Sequence, residues 1–254
     1  MKLIIRQNLR KFYFFLRDIF ILPLLNKKFN YFFRSKNNYI FFSELITSKN
    51  ELNNLCNKFG SDKGGNKEIN PSKRKILGNY STFYDYLLSP HKKNFKLIFE
   101  VGIGTNNLDV PSNMGKYGKP GASLKMWRNY FKTAKIYGAD IDKRILFSSN
   151  RIKTFYVNQY SKKSIKKMWL NINKKNFDLI IDDGIHDFKG NRIFFENSIS
   201  YLKYGGYYII EDVNDIYVEQ FRNYFSKLNY DVQIIDIFTK ENSYSNRIIL
   251  IKKN

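Results

Sequence analysis

The sequence predicts an α/β chain, with a mostly parallel sheet of seven strands, helices on both faces and an antiparallel hairpin at the C-terminal end. Three observations lead there. From about residue 96 onward, apolar β-rich runs alternate with helix-sized stretches. Two of those runs, Phe177-Asp-Leu-Ile-Ile-Asp-Asp183 and Gly206-Tyr-Tyr-Ile-Ile-Glu-Asp212, end in paired acids, as buried parallel strands do when their tips deliver carboxylates to one rim of a sheet. The last two runs are joined by the turn-like Glu241-Asn-Ser-Tyr-Ser245.

Taken in order, residues 1–50 form a basic, aromatic appendage, 51–95 a polar helical lead-in and 96–254 the α/β domain. In the appendage, clusters such as Phe12-Tyr-Phe-Phe-Leu16 and Ile19-Phe-Ile-Leu-Pro-Leu-Leu25 alternate with lysine and arginine. A helix of that composition suits either the surface of an anionic membrane or packing against the domain or a second subunit. The expected strands are Leu97–Val101, Lys135–Asp140, Thr154–Val157, Leu179–Asp182, Gly206–Ile210, Asp231–Phe238 and Arg247–Lys252. His91 is expected in an exposed linker, Trp127 in the core, and Asp187 and Asp215 at helix starts.

The 254 residues are 43% hydrophobic, enough to bury the core of one domain with an appendage. A net charge of +22 raises the question of nucleic acid. The lysines are spread among Asn, Ile and Tyr along the whole length, as A/T-rich coding also produces, and no arginine-rich segment or RNA-binding signature is found, so nucleic acid is disfavoured. One cysteine excludes an intramolecular disulfide framework, and with two histidines it leaves no set for structural zinc. The run Phe12 to Leu25 is broken by Arg17, Asp18 and Pro23 and has no small-residue cleavage site, so neither a secretory signal nor a membrane span is expected. The expected setting is cytoplasmic, at most peripheral to the inner face of a membrane, with self-association through the aromatic appendage a further expectation.

The first strand closes on Phe99-Glu-Val-Gly-Ile-Gly-Thr105, whose glycines allow close approach of a ligand, and the third glycine of the dinucleotide fingerprint is missing. The second strand ends in Asp140-Ile-Asp142, where an acid can take two ribose hydroxyls; Asp140 is the first choice and Asp142 the second, with an N-cap as its other reading. Together these favour a nucleoside cofactor, and the acids downstream favour S-adenosylmethionine over NAD. Candidates for holding it are Glu100, Gly102, Gly104, Thr105, Ser123, Asp140, Asp142, Asn158, Gln159 and Asp182. Between the two strands lies a long Gly/Pro-rich stretch, residues 111–127, of the kind that is usually functional, with Gly121-Ala-Ser123 expected to start the helix. Asp182, Asp183, Glu211 and Asp212 would converge with His186, and a hard divalent cation is the partner that such carboxylates call for.

These pieces resemble the metal-dependent class I O-methyltransferases of sugar and natural-product tailoring, exemplified by the mycinamicin-type macrolide sugar enzymes. The resemblance runs from about Lys58 to Lys252 and rests on Gly60-Ser-Asp-Lys63, Glu100-Val-Gly-Ile-Gly-Thr105, Ser112-Asn-Met-Gly115, Pro120-Gly-Ala-Ser-Leu124, Asp182-Asp-Gly-Ile-His186 and Glu211-Asp212. It implies a Rossmann-like methyltransferase sheet, magnesium held by Asp183, Glu211 and Asp212, and His186 as general base. It further implies a sugar or glycan acceptor close to Asp62, Lys63, Tyr80 and Met114. Where such proteins often carry a His-x-Tyr element, this chain reads Gly78-Asn-Tyr80.

Overall fold

The computed structural model describes residues 50–64, 80–239 and 246–254, together with four short strand segments before residue 77. Its main sheet has ten strands: β1 (Phe33–Arg34), β2 (Tyr39–Glu44), β5 (Leu97–Val101), β6 (Lys135–Asp140), β7 (Ser148–Ser149), β8 (Ile152–Tyr156), β9 (Phe177–Asp182), β10 (Leu202–Ile210), β11 (Asp231–Thr239) and β12 (Asn246–Lys252). A separate pair is formed by β3 (Lys67–Glu68) and β4 (Lys75–Ile76). The order across the sheet is β1-β2-β11-β12-β10-β9-β5-β6-β8-β7.

All seven expected strands are present, and three additions make up the ten. The short β7 pairs with β8. The other two come from the appendage: β2 pairs parallel with β11, and β1 turns back on β2. Residues 33–34 and 39–44 of the appendage are strand, the edge of β11 offering a ready ladder of backbone hydrogen bonds. The aromatic clusters before residue 33 lie outside the described residues.

Side-chain alternation along the central strands builds two cores. Ile98, Leu179, Ile181 and Ile209 face α1 (Glu51–Phe59), α2 (Tyr80–Leu88) and α3 (Ala122–Tyr130). Phe99, Ile180, Tyr208 and Ile210 face α4 (Lys162–Ile172), α5 (Phe188–Glu196) and α6 (Val218–Phe225). Helix α4 shows how the sequence commits to this: Ile165, Met168, Trp169 and Ile172 recur at helical spacing and are its buried residues, while Ser161 caps its first turn. Trp127 is fully buried as expected. His91 departs from expectation, since it sits in a short 3-10 turn with its ring stacked on Phe95 at 5.6 Å between centroids.

Two connections leave the middle of the sheet in opposite directions, β5 to β6 on one side and β9 to β10 on the other, so the crevice between the β5 and β9 tips is where a ligand binds in such sheets. At the opposite ends of these strands, Asp178 accepts from the backbone N–H groups of Lys96 (2.6 Å) and Leu97 (2.9 Å), locking the start of β5 to β9. Asp178→Ala leaves both donors without their acceptor and is expected to destabilise the fold by about 2–4 kcal/mol, read by denaturant unfolding. A loss below about 0.5 kcal/mol, the level of an ordinary surface change, would show that this lock carries little.

Candidate functional site

The tips of three neighbouring strands stand level. Val101 and Ile210 both pair with Asp182, and the ladder continues beyond them, with Asp183 N–H donating to Val101 O and Glu211 N–H donating to Asp182 O, both at 2.9 Å. Because alternate residues face opposite sides, Glu100, Asp183 and Glu211 fall on the side of α1 and α2. Asp182 falls on the other.

A cleft of about 390 Å³ opens at these tips, a size suited to a small ligand. Gly102, Gly104 and Thr105 form one wall, and Ser123, Asp140, Asn158 and Gln159 line the rest. Gly102 has φ +82°, and a Cβ there would stand 2.0 Å from the Asp183 carbonyl oxygen. Only glycine lets the tip of β5 pass that close to the tip of β9. The long loop folds back over the glycines, Met114 N–H donating to Thr105 O and Gly121 N–H to Ile103 O, both at 2.8 Å. Gly121 then caps α3, which brings Ser123 to the cleft.

Asp140 lines the cleft at the β6 tip and accepts from the N–H groups of Ile103 and Asp142, both at 2.9 Å; burial pushes its pKa up. Asp142 does not line the cleft. It caps the following turn, and its carboxylate is held far below the usual range by Arg144, with Thr105 and Asn107 also donating. The capping reading is thus the one that the geometry favours for Asp142. Glu100 and Asp182 also stand behind the wall and not in it, because both are fully buried. Glu100 accepts from Trp127 Nε1 at 2.8 Å. Asp182 accepts from Gln159 Nε2 at 2.7 Å, while Gln159 Oε1 accepts from Ile185 N–H at 3.0 Å, so Asp182 shapes the cleft through Gln159. Burial pushes the Asp182 pKa up to about 6, against hydrogen bonds from Asn191 and Gln159 that lower it.

Lys63 occupies an unexpected place. Its side chain is 2% exposed and its Nζ lies 2.6 Å from Asp183 Oδ2, 2.6 Å from Glu211 Oε2 and 3.4 Å from Glu100 Oε1. Burial alone would depress this ammonium, but the three carboxylates outweigh it and hold the lysine charged. Lys63, expected beside an acceptor, faces inward onto the acids and does not line the cleft. Its position follows from local sequence. Gly60, at φ +83°, ends α1, and the Lys63 carbonyl accepts from Ser81 N–H at 2.8 Å, tying the turn to the start of α2.

Glu211 is correspondingly enclosed. Its Oε2 meets Lys63 and its Oε1 accepts from Tyr84 Oη at 2.5 Å. Near the cleft, two carboxylates and an imidazole come together: Asp183, His186 and Asp212 each place a ligand atom within 4.8 Å of the others. Asp183 thus belongs to both groups. Asp212 Oδ1 accepts from Tyr80 Oη at 2.6 Å, so Tyr80, expected beside an acceptor, lies behind the cleft and orients an acid instead. Asp62 and Met114 do line the cleft. His186 and Asp212 both adopt left-handed backbone, φ +56° and +52°, an uncommon state for residues other than glycine. The buried Nδ1 of His186 has no hydrogen-bond partner among the described residues. Tyr84 was missed in the sequence, although its spacing of four from Tyr80 on one helix was the available signal.

A Rossmann-like sheet with this order, a glycine-lined cleft and acids at the next two strand tips defines a methyltransferase fold. The comparisons narrow the relationship. The chain is 27% identical over 171 residues to 8-demethyl-8-alpha-L-rhamnosyl tetracenomycin-C 2'-O-methyltransferase of Streptomyces olivaceus, covering 67% of this chain and 40% of that protein. It is 31% identical over 165 residues to L-olivosyl-oleandolide 3-O-methyltransferase of Streptomyces antibioticus, covering 63% and 36%. Mycinamicin VI 2''-O-methyltransferase of Micromonospora griseorubida is 26% identical over 168 residues, covering 65% and 36%. The matched stretch spans about two fifths of the length of these relatives. MycE, a methyltransferase of the mycinamycin pathway solved with Mg and SAH, superposes with a TM-score of 0.56 at 20% identity, over 82% of this chain and 56% of its own. No family model matches the chain. Its homologues are sugar O-methyltransferases of macrolide and polyketide pathways, as the motifs suggested.

The Gly102 contact yields a direct test. Gly102→Ala is expected to cost about 1–3 kcal/mol of stability from left-handed strain alone and to weaken S-adenosylhomocysteine binding, measured by calorimetry. Unchanged affinity would mean that the cleft wall does not depend on this close approach.

Proposed function

We propose that the chain is an S-adenosylmethionine-dependent, magnesium-assisted O-methyltransferase acting on a hydroxyl of a sugar or glycan precursor. The observation that carries this reading is that the glycine-lined strand tip and the Asp183–His186–Asp212 trio open into one cavity. On this reading Gly102, Gly104, Asp140 and Asn158 hold the donor, and Asp62 and Met114, which line the same cleft, would meet the acceptor.

The residues fit a magnesium ion. The trio supplies two carboxylates close together, the oxygen donors that a hard cation takes, and the unpartnered His186 Nδ1 shows that the imidazole is not engaged elsewhere. Asp183 and Asp212 would hold the ion, which when bound acts as a Lewis acid on the acceptor hydroxyl and lowers its pKa. Glu211, already bonded to Lys63 and Tyr84, reaches such an ion only with an oxygen it shares. With an ion held there, His186 would be placed to take the hydroxyl proton as the methyl moves. Tyr80 keeps Asp212 in place through its hydrogen bond, and the strand-tip ladder keeps Asp183 level with the donor wall. Most of what the protein supplies is alignment of the hydroxyl with the sulfonium methyl.

The setting we favour is the cytoplasm, with the basic, aromatic appendage meeting an anionic membrane or a second copy of the chain. Its composition supports this, as does the net charge of +22. No helix among the described residues is long and apolar enough to cross a membrane.

The test is methyl transfer from labelled S-adenosylmethionine to a panel of sugar nucleotides and glycan extracts, with magnesium and with chelator. Transfer that stops on chelation and returns with metal is expected; transfer indifferent to chelation would contradict the ion's role. His186→Ala is expected to lower kcat by about 10²–10⁴-fold while leaving donor affinity within about three-fold. Full activity in that variant would remove the base assignment.

A further inference from the structure

Lys63 has no role in the chemistry just described, yet it is a fully buried ammonium in contact with three carboxylates, one of them an ion-holding residue. We propose that Lys63 is a built-in cation that competes with the divalent ion for Asp183, offsetting part of the charge of the acidic cluster without an ion and making ion binding weak and exchangeable. The inference rests on the ion-assisted reading above.

The argument is one of charge at close range. Glu100 and Glu211 are fully buried and Asp183 partly so, all three reach one Nζ, and carboxylates gathered this closely cannot all ionise without a cation. A lysine anchored by its own backbone bond to Ser81 provides one permanently. Its charge sits 2.6 Å from an oxygen of Asp183, so a divalent ion on that carboxylate feels repulsion at short distance. Removing the charge leaves the acids with a free demand for a cation. A lysine that served packing alone would, on removal, weaken ion binding and folding together; a competing cation gives the opposite sign for binding.

The experiment measures Mn²⁺ affinity by calorimetry, and Tm with Mn²⁺ and with chelator, for the full chain and for Lys63→Met. The variant is expected to bind Mn²⁺ at least about ten-fold more tightly than the parent, and its Tm to rise with saturating Mn²⁺ by several degrees more than the parent's. Equal or weaker Mn²⁺ binding by a folded Lys63→Met protein, beside a parent that binds, would overturn the inference and leave the ion-assisted reading standing. If neither protein binds Mn²⁺, the ion-assisted reading falls and takes the inference with it. Should the variant fold only when Mn²⁺ is present during expression and purification, the inference is supported; failure to fold with and without Mn²⁺ would overturn it, since an ion should then replace the missing charge.

Discussion

One ammonium group organises this protein. Lys63 comes from the turn after α1, and the acids that it meets come from the tips of β5, β9 and β10, so four separate parts of the chain converge on a single Nζ. Breaking such a buried group by removing one partner typically costs about 3–5 kcal/mol, because the charges left behind have no water to turn to. The helical lead-in is thereby fastened to the sheet at the point where chemistry has to be aligned. Aromatic side chains close the cluster: Tyr84 donates to Glu211 and packs edge-on against Trp127, which in turn donates to Glu100.

The two faces of the sheet divide the work between neighbouring residues. Asp182 and Asp183 are adjacent in sequence and opposed in direction. Asp182 turns to the α4–α5 side, where it fixes Gln159 and through it the loop at Ile185; Asp183 turns to the lead-in and the trio. Glu211 and Asp212 divide in the same manner, the first 1% exposed against Lys63 and Tyr84, the second open to the cleft and steered by Tyr80. In each acid pair, one member is structural support and the other is presented.

Most of the fold was legible because strand alternation and turn chemistry are local signals. The acids at 182–183 and 211–212 announced strand tips, and the glycines at 102 and 104 announced a close approach, which the structure supplies at the Asp183 carbonyl and at Met114. What the sequence could not convey was partnership across distance. Lys63 and Asp183 are separated by 120 residues, and nothing in Gly60-Ser-Asp-Lys63 distinguishes a lysine that meets a ligand from one that meets three acids. Glu100 and Asp142 were open for a related reason: a carboxylate at a strand tip reads alike whether or not it faces the cleft, and their bonds to Trp127 and Arg144 turn them away from it. In the appendage the free edge of β11 makes 39–44 strand, while the aromatic clusters for which a helix was expected lie outside the described residues.

The central claim is that the acids beside the donor cleft divide into a lysine-held group and an ion-holding group that share Asp183. Anomalous diffraction from crystals grown with Mn²⁺ and S-adenosylhomocysteine tests this most directly. The account predicts one Mn²⁺ peak in contact with Asp183 and Asp212, beside the sulfur of the bound nucleoside, with Lys63 still bonded to Glu211. A peak elsewhere in the cleft, or Lys63 withdrawn from the carboxylates altogether, would contradict it.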